Sequence, residues 1–158
     1  MKKFKKILSF IALSIIITSC GYKVVSKTNT KNYSFEEIIT TGDKRVNFKI
    51  KNKLLFESGK NNSKLVALKI NTKKIRSIKN KNIKNEITKY ELKIISEINY
   101  KIIGKINNGS FKVEEIGSYS VSNNRMNTIN NEKLLIKNLT DQIIKKISDN
   151  LNKLTNDS

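Results

Sequence analysis

The chain has 158 residues and a strong positive charge, with 32 lysine and arginine residues against 13 acids and a formal net charge of +19. It contains no histidine and one cysteine, and its acids are scattered along the chain. The usual general base, an internal disulfide and a cluster of metal ligands are therefore excluded. We predict a protein that is not an enzyme and that uses no catalytic cofactor or metal.

The positive charge has two explanations. Lysine, isoleucine and asparagine number 29, 25 and 22 residues, whereas arginine occurs three times and proline never. All three favoured residues have AT-rich codons, so genomic bias alone can account for many of the lysines. The other explanation is that the charge serves an anionic partner. The sequence is compatible with both explanations.

The first nineteen residues have the organisation of a signal peptide. Residues 1–6 contain four lysines and no acid, and residues 7–17 are apolar except for two serines. This apolar stretch is too short to span a bilayer. It ends in Ile17-Thr18-Ser19-Cys20-Gly21, which resembles the lipobox of bacterial lipoproteins. Cleavage before Cys20 would leave a residue that carries a diacylglycerol and an N-acyl chain, unless the cysteine is incidental to an ordinary signal or membrane anchor.

An exported chain of this kind has few anionic partners to choose from. Removing residues 1–19 takes away four positive charges, so the remaining 139 residues carry +19 − 4 = +15. Export excludes nucleic acid and leaves phospholipid headgroups and lipopolysaccharide phosphates. Gly21 in place of aspartate implies the periplasmic face of the outer membrane, by resemblance to proteobacterial lipoproteins. We interpret residues 20–31 as a lipidated tether and residues 32–158 as one domain.

Local patterns predict the elements of the first half. Residues 33–39 alternate as a short strand, and a break at Gly42 precedes Asp43, a good N-cap. A helix to about residue 56 follows, with apolar residues at four-residue spacing: Val46, Ile50 and Leu54. Residues 65–72 read as a second strand. Residues 73–89 are strongly basic and sparsely apolar, and we predict a loop or an irregular sheet edge there.

The second half has the clearest periodicity. Even-numbered residues from Tyr90 to Ile102 are mostly apolar and odd-numbered ones mostly polar, which predicts a long strand with one wet face. Asn108-Gly109 predicts a hairpin turn with positive φ, which would place Ile98 opposite Tyr119. A β-branched residue at Gly109 would then cost about 1–2 kcal/mol. From about residue 128 to 154, leucines and isoleucines recur every four residues, as in a long amphipathic helix.

This order of elements predicts an α+β fold. We expect a two-layer sandwich with a mostly antiparallel four-stranded sheet and both helices packed on one face. The other face would be polar and basic. Its candidate ligand-binding residues, on the open side of the hairpin, are Lys101, Lys105 and Lys112. The simpler alternative is that each is only a solvated lysine.

The chain resembles the lipopolysaccharide-assembly lipoproteins of the LptE family. The resemblance covers the order of elements and the following segments: Cys20-Gly21-Tyr22, Thr88-Lys89-Tyr90-Glu91-Leu92, Ile98-Asn99-Tyr100-Lys101-Ile102, Ser118-Tyr119-Ser120 and residues 131–143. It implies a sheet with two helices on one side and a structural role as plug and partner of the outer-membrane β-barrel LptD. In that role the protein would help to assemble the barrel and deliver lipopolysaccharide to the cell surface, with basic residues that contact lipid A phosphates.

Two other functions are compatible with the sequence. One is a free lipid-binding or lipid-shuttling lipoprotein, which would need an enclosed apolar cavity between sheet and helices. The other is an accessory lipoprotein of a different envelope machine, such as a secretion pilot. Co-purification with a barrel protein separates the LptD partner from both.

The lipidation site makes a direct prediction. Cys20→Ser removes the thiol that accepts the diacylglycerol, so we expect an unprocessed precursor held at the inner membrane. Metabolic labelling with a fatty acid and intact-mass measurement check this. A labelled, shortened Cys20→Ser product would contradict it.

Overall fold

The computed structural model describes residues 31–59, 64–104 and 108–156. Its elements are β1 (Tyr33–Gly42), α1 (Lys44–Glu57), β2 (Lys64–Lys81), β3 (Ile87–Ile102), β4 (Asn108–Ser120) and α2 (Arg125–Asn156). The strands form one sheet in the order β1-β2-β3-β4, in which β1 is parallel to β2 and the other neighbours are antiparallel. Both helices pack on one face, which confirms the predicted α+β fold.

The core lies between this face and the two helices. The helices contribute residues that are at most 3% exposed: Val46, Ile50, Leu54, Leu139, Ile143, Ile147 and Leu151. These residues pack against the even-numbered side chains of β3. Each large apolar side chain that is fully buried contributes about 1.5–3 kcal/mol to the free energy of unfolding. Ser96 is a fully buried polar residue of that series, and its hydroxyl lies 3.0 Å from that of Thr72. The pair is therefore satisfied without water.

Asp43 starts α1 as the sequence predicts. Its Oδ1 accepts hydrogen bonds from the backbone N–H groups of Arg45 and Val46, at 3.1 and 3.0 Å. Lys74 Nζ lies 3.1 Å from its other carboxylate oxygen. Burial alone would raise the pKa of Asp43, but the Val46 hydrogen bond and the Lys74 ammonium outweigh it, so the pKa is lowered.

The register of the β3–β4 hairpin differs from the prediction. Ile98 lies opposite Phe111, eight residues earlier along β4 than Tyr119. Gly109 lies inside β4 opposite Tyr100, and the glycine with positive φ is Gly104, at +82°. An even shift keeps the same side chains on the same face, so alternation alone cannot distinguish the two registers.

Tertiary contacts favour the observed register. Tyr90 now stacks on Tyr119, with ring centroids 5.6 Å apart. Glu115 lies opposite Ile94 on the helix-covered face, where Lys146 of α2 pairs with it at 2.6 Å. A side chain at Gly109 would meet the Tyr100 ring, with a Cβ 2.6 Å from its hydroxyl oxygen. The predicted positive φ at Gly109 is therefore wrong, and the cost of a side chain there comes from crowding against Tyr100.

For the basic stretch 73–89, the predicted irregular sheet edge is confirmed and the alternative of a loop is wrong. Among the described strands, β2 beyond Thr72 pairs with β3 alone, and its register shifts near Asn80. β2 continues through this stretch to Lys81, and residues 82–86 turn the chain into β3. This part of β2 is exposed throughout, so no alternation of apolar residues marks it as a strand. Backbone pairing with β3 maintains it instead. We call residues 73–89 the hairpin arm.

The junction between β1 and α1 supplies a stability prediction. Gly42 has φ +95°, and a Cβ there would lie 2.0 Å from the carbonyl oxygen of Thr72. Gly104 also has positive φ, but a Cβ there would meet nothing within 4 Å. Gly104→Ala should therefore cost only the φ strain, about 1 kcal/mol, whereas Gly42→Ala should cost about 3 kcal/mol or more because the clash is added. Urea unfolding of both variants measures the difference, and equal losses would contradict it.

Candidate functional site on the open face of the sheet

The helices leave the second face of the sheet uncovered. The odd-numbered side chains of β3 point there: Lys93, Ile95, Glu97, Asn99 and Lys101. Strand pairing sets them in rows, so that Lys101 lies between Ala67 and Asn108, and Glu97 lies between Asn71 and Lys112. The open face is therefore polar with a few apolar side chains.

Two of the three predicted ligand-binding lysines share this face. Lys101 and Lys112 lie four rows apart, about 13 Å along the strands. Lys105 lies outside the described residues, as do Cys20, the signal peptide and most of the tether. The structure therefore places Lys101 and Lys112 on one surface without bringing them together at one point.

The surroundings of these two lysines differ. Lys112 Nζ lies 3.2 Å from Glu114, and Lys93 Nζ lies 3.2 Å from the other oxygen of the same carboxylate. Hydrogen bonds from Lys93 and Lys112 lower the pKa of Glu114. Charge is thus partly cancelled around Lys112, and this half of the open face is less basic than the sequence predicts.

Lys101 belongs instead to a shallow groove of about 420 Å³. Its walls and floor are formed by Glu37, Ile39, Ala67, Leu68, Lys69, Asn99, Tyr100 and Lys101. Ile39 is 41% exposed. Within the described part of the chain, Lys69 and Lys101 form no ion pair. We call this surface the open-face groove.

The open-face groove has the chemistry to hold an anionic amphiphile. Lys69 and Lys101 are diagonal neighbours on β2 and β3, about 7 Å apart at their Cα atoms. Two ammonium groups at this spacing can share one phosphate through charge-assisted hydrogen bonds. The apolar floor around Ile39 and Ala67 can take the start of a hydrocarbon chain. Sequence reasoning missed Lys69. The alternation in β2 places its side chain on the open face, but only the pairing of β2 with β3 shows that Lys101 is its neighbour.

The hairpin arm is a second basic surface. It contains seven lysine and arginine residues and one acid, Glu86, a net charge of +6. Asn82 shapes its tip, because the Asn82 side-chain oxygen accepts hydrogen bonds from the backbone N–H groups of Lys84 and Glu86 at 3.0 and 2.9 Å. This turn leaves Ile83 fully exposed at 104%. The asparagines at 80, 82 and 85 were the sequence signal for the turn.

A cluster of four side chains ties the arm to the start of α2. Tyr119 donates a hydrogen bond to Glu132 at 3.0 Å, and Arg76 lies 3.5 Å from the same carboxylate oxygen. The Arg76 guanidinium also lies over the Tyr90 ring, 4.9 Å from its centroid. Burial, followed by the Glu132 hydrogen bond, raises the pKa of Tyr119. The cluster therefore orients the base of the arm and has a structural role.

No three carboxylate, histidine or cysteine side chains in ranges 31–59, 64–104 and 108–156 are grouped so that they could hold a metal ion. In the same ranges, neither helix has the length and apolar character needed to cross a membrane.

Comparison with known proteins identifies the architecture. The chain matches no protein-family model and no curated protein by sequence. Its structure matches rare lipoprotein B from Shewanella oneidensis with a TM-score of 0.58 and 17% identity, over 77% of this chain and 97% of that one. The fold is that of rare lipoprotein B. An uncharacterized lipoprotein B from Nitrosomonas europaea also matches, with a TM-score of 0.53 and 8% identity over 80% of this chain and 88% of that one.

The similarity to rare lipoprotein B covers 77% of this chain. At these identities it shows a common fold and transfers no residue role. Both of these solved structures are bacterial lipoproteins.

The cluster at the base of the arm makes a prediction. Glu132→Ala removes the partner of both Tyr119 and Arg76, so we expect a loss of about 1 kcal/mol and faster amide exchange in the hairpin arm than in α1. Glu114→Ala is the control, because that carboxylate is exposed and pairs only with surface lysines. Equal amide exchange rates in the hairpin arm of the two variants would show that the cluster does not stabilise the arm.

Proposed function

We propose that this chain is a lipid-anchored lipoprotein of the Gram-negative outer membrane and the structural partner of the barrel LptD. The proposal rests chiefly on the fold, which this chain shares with rare lipoprotein B over nearly the whole length of that protein. The lipobox-like sequence at Cys20 and the resemblance to the LptE family support it. In this role the chain has no catalytic activity, and its task is to fill and position a barrel through which lipopolysaccharide leaves.

The two surfaces of the sheet suit this role. The helix-covered face supplies a core that makes the domain a rigid wedge. The open face carries alternating lysines, glutamates and asparagines, which match the polar interior of a large outer-membrane barrel. The open-face groove adds a place where a lipid A phosphate can lie between Lys69 and Lys101.

The partner assignment is tested by native purification. Tagged full-length protein is extracted from envelopes in mild detergent, and the proteins bound to it are identified by mass spectrometry. We expect stoichiometric recovery of the LptD barrel. Recovery of the lipidated chain with a different envelope complex, or alone, would contradict the proposal and favour an accessory or lipid-binding lipoprotein.

The open-face groove makes a separate prediction about lipopolysaccharide. Reversing both charges in Lys69→Glu/Lys101→Glu should weaken lipid A binding at least tenfold, since about 1.4 kcal/mol corresponds to a factor of ten and each charge-assisted contact contributes at least that much. Binding is measured by titration of purified protein with fluorescent lipid A.

Lys112→Glu is the matched control for this experiment. Lys112 lies on the same face, but it already pairs with Glu114 and lies outside the groove. We expect it to change binding less than threefold, the scale of an exposed pair. An equal loss in both variants would mean that overall charge, and not the groove, attracts the lipid.

A further inference from the structure

Helix α1 has a second apolar strip that no part of the described domain covers. Its inner residues Val46, Ile50 and Leu54 are buried in the core. On the opposite side, Phe48 is 71% exposed and Leu55 44%. These two residues are seven positions apart, so their side chains lie about 20° from each other around the helix axis and about 10 Å apart along it. A helix that needed only to cover the sheet would have polar residues there.

Cations surround this outer strip. Helix α1 contains five lysine and arginine residues and one acid, Glu57, at its last position. Lys49 pairs with Asp141 at 2.8 Å, and Lys53 lies 3.6 Å from Glu57. Lys44 and Lys51 form no ion pair within the described residues, and both line a groove beside Phe48. Phenylalanine and leucine side chains beside lysines are typical of helices that lie in the interface of an anionic bilayer.

The chain reaches the domain next to this strip. Lys31 is the first described residue, and its Nζ lies 2.7 Å from Glu57 at the end of α1. Cys20 is eleven residues earlier, a span of at most about 40 Å even when fully extended. A lipid on Cys20 therefore keeps the Glu57 end of α1 within about 40 Å of the membrane surface that holds the anchor, which allows the helix to reach that surface.

We propose that the outer face of α1 lies on the bilayer in which the lipid anchor is inserted. Phe48 and Leu55 enter the boundary between headgroups and acyl chains, and Lys44 and Lys51 contact anionic phospholipid headgroups. This inference rests on the proposed lipid anchor at Cys20. This docking describes the lipidated chain outside a barrel, because a domain that fills a barrel lumen presents no face to the bilayer.

This orientation separates the functions of the two sides of the domain. The helices lie between the sheet and the bilayer, so the open-face groove points away from the membrane surface. The anchor and the strip on α1 together hold the domain at two points, which restricts its rotation about the tether.

The absence of tryptophan provides a direct test. Because the chain has none, Phe48→Trp introduces a single fluorescent probe on the outer face of α1. Full-length lipidated protein is reconstituted into vesicles of phosphatidylethanolamine and phosphatidylglycerol, with bromine on the upper carbons of the acyl chains as quencher. Ile116→Trp is the matched control, since Ile116 is 49% exposed on the open face of the sheet.

We expect Trp emission from the Phe48→Trp protein to shift to the blue and to be quenched at least twofold more by brominated lipid than emission from the Ile116→Trp protein. Adding Lys44→Glu and Lys51→Glu to Phe48→Trp should abolish the difference, because anionic headgroups then repel the helix. Thermal melting of each variant verifies that it is folded. Equal quenching of the two probes, or protection of Phe48→Trp only when a barrel or a second copy is bound, would overturn the inference.

Lipidation of Cys20 and docking of α1 on the bilayer are tested by different measurements. Flotation with vesicles and intact mass report the lipid on Cys20, whatever α1 does. A protein that carries no lipid contradicts the proposed anchor. A lipidated protein that floats but whose probe at position 48 stays unquenched contradicts only the docking of α1.

Discussion

Strand β3 pairs along almost its whole length with β2 on one side and β4 on the other. Its even-numbered side chains must therefore face the helices and its odd-numbered ones must face away, and both neighbours must follow the same alternation. The buried series Leu92, Ile94 and Ile98 is the surface on which α2 packs. Any change that turned β3 over would expose this series and bury Lys93 and Lys101, at the cost of desolvating two ammonium groups.

The same constraint explains where the charge is found. With one face of the sheet committed to the core, lysines can occupy only the open face, the hairpin arm and the outer side of the helices. On the open face, Glu114 partly neutralises Lys93 and Lys112, while Lys69 and Lys101 keep their charge beside an apolar floor. Lysines that result from genomic bias alone would be restricted to the same exposed positions. In the open-face groove, two of these lysines lie beside an apolar surface, which is the arrangement that an anionic amphiphile requires.

The surfaces that we assign to function lie on different sides of one rigid body. The chain enters near Tyr33, which pairs with Lys64 at the start of β2. The arm turns after Lys81, about 56 Å further along the same strand. The end at which residue 31 leads into β1 and the outer strip of α1 therefore lie far from the tip of the arm. The open-face groove lies on the opposite side of the sheet from the helices.

The sequence by itself determined everything that depends on local periodicity. The alternation of β3, the N-cap at Asp43 and the four-residue spacing in both helices predicted the elements and the α+β fold, because each pattern is read within one segment. The signal peptide and the lipid on Cys20 are also predictions of this local kind. The tertiary structure decided the register of β4, because an even shift leaves every side chain on the same face.

The tertiary structure also decided that residues 73–81 form a strand. Backbone pairing with β3 maintains this strand without burying its side chains, so its sequence carries no alternation of apolar residues. Finally, only the folded sheet brings Lys69 next to Lys101, thirty-two residues later in the chain.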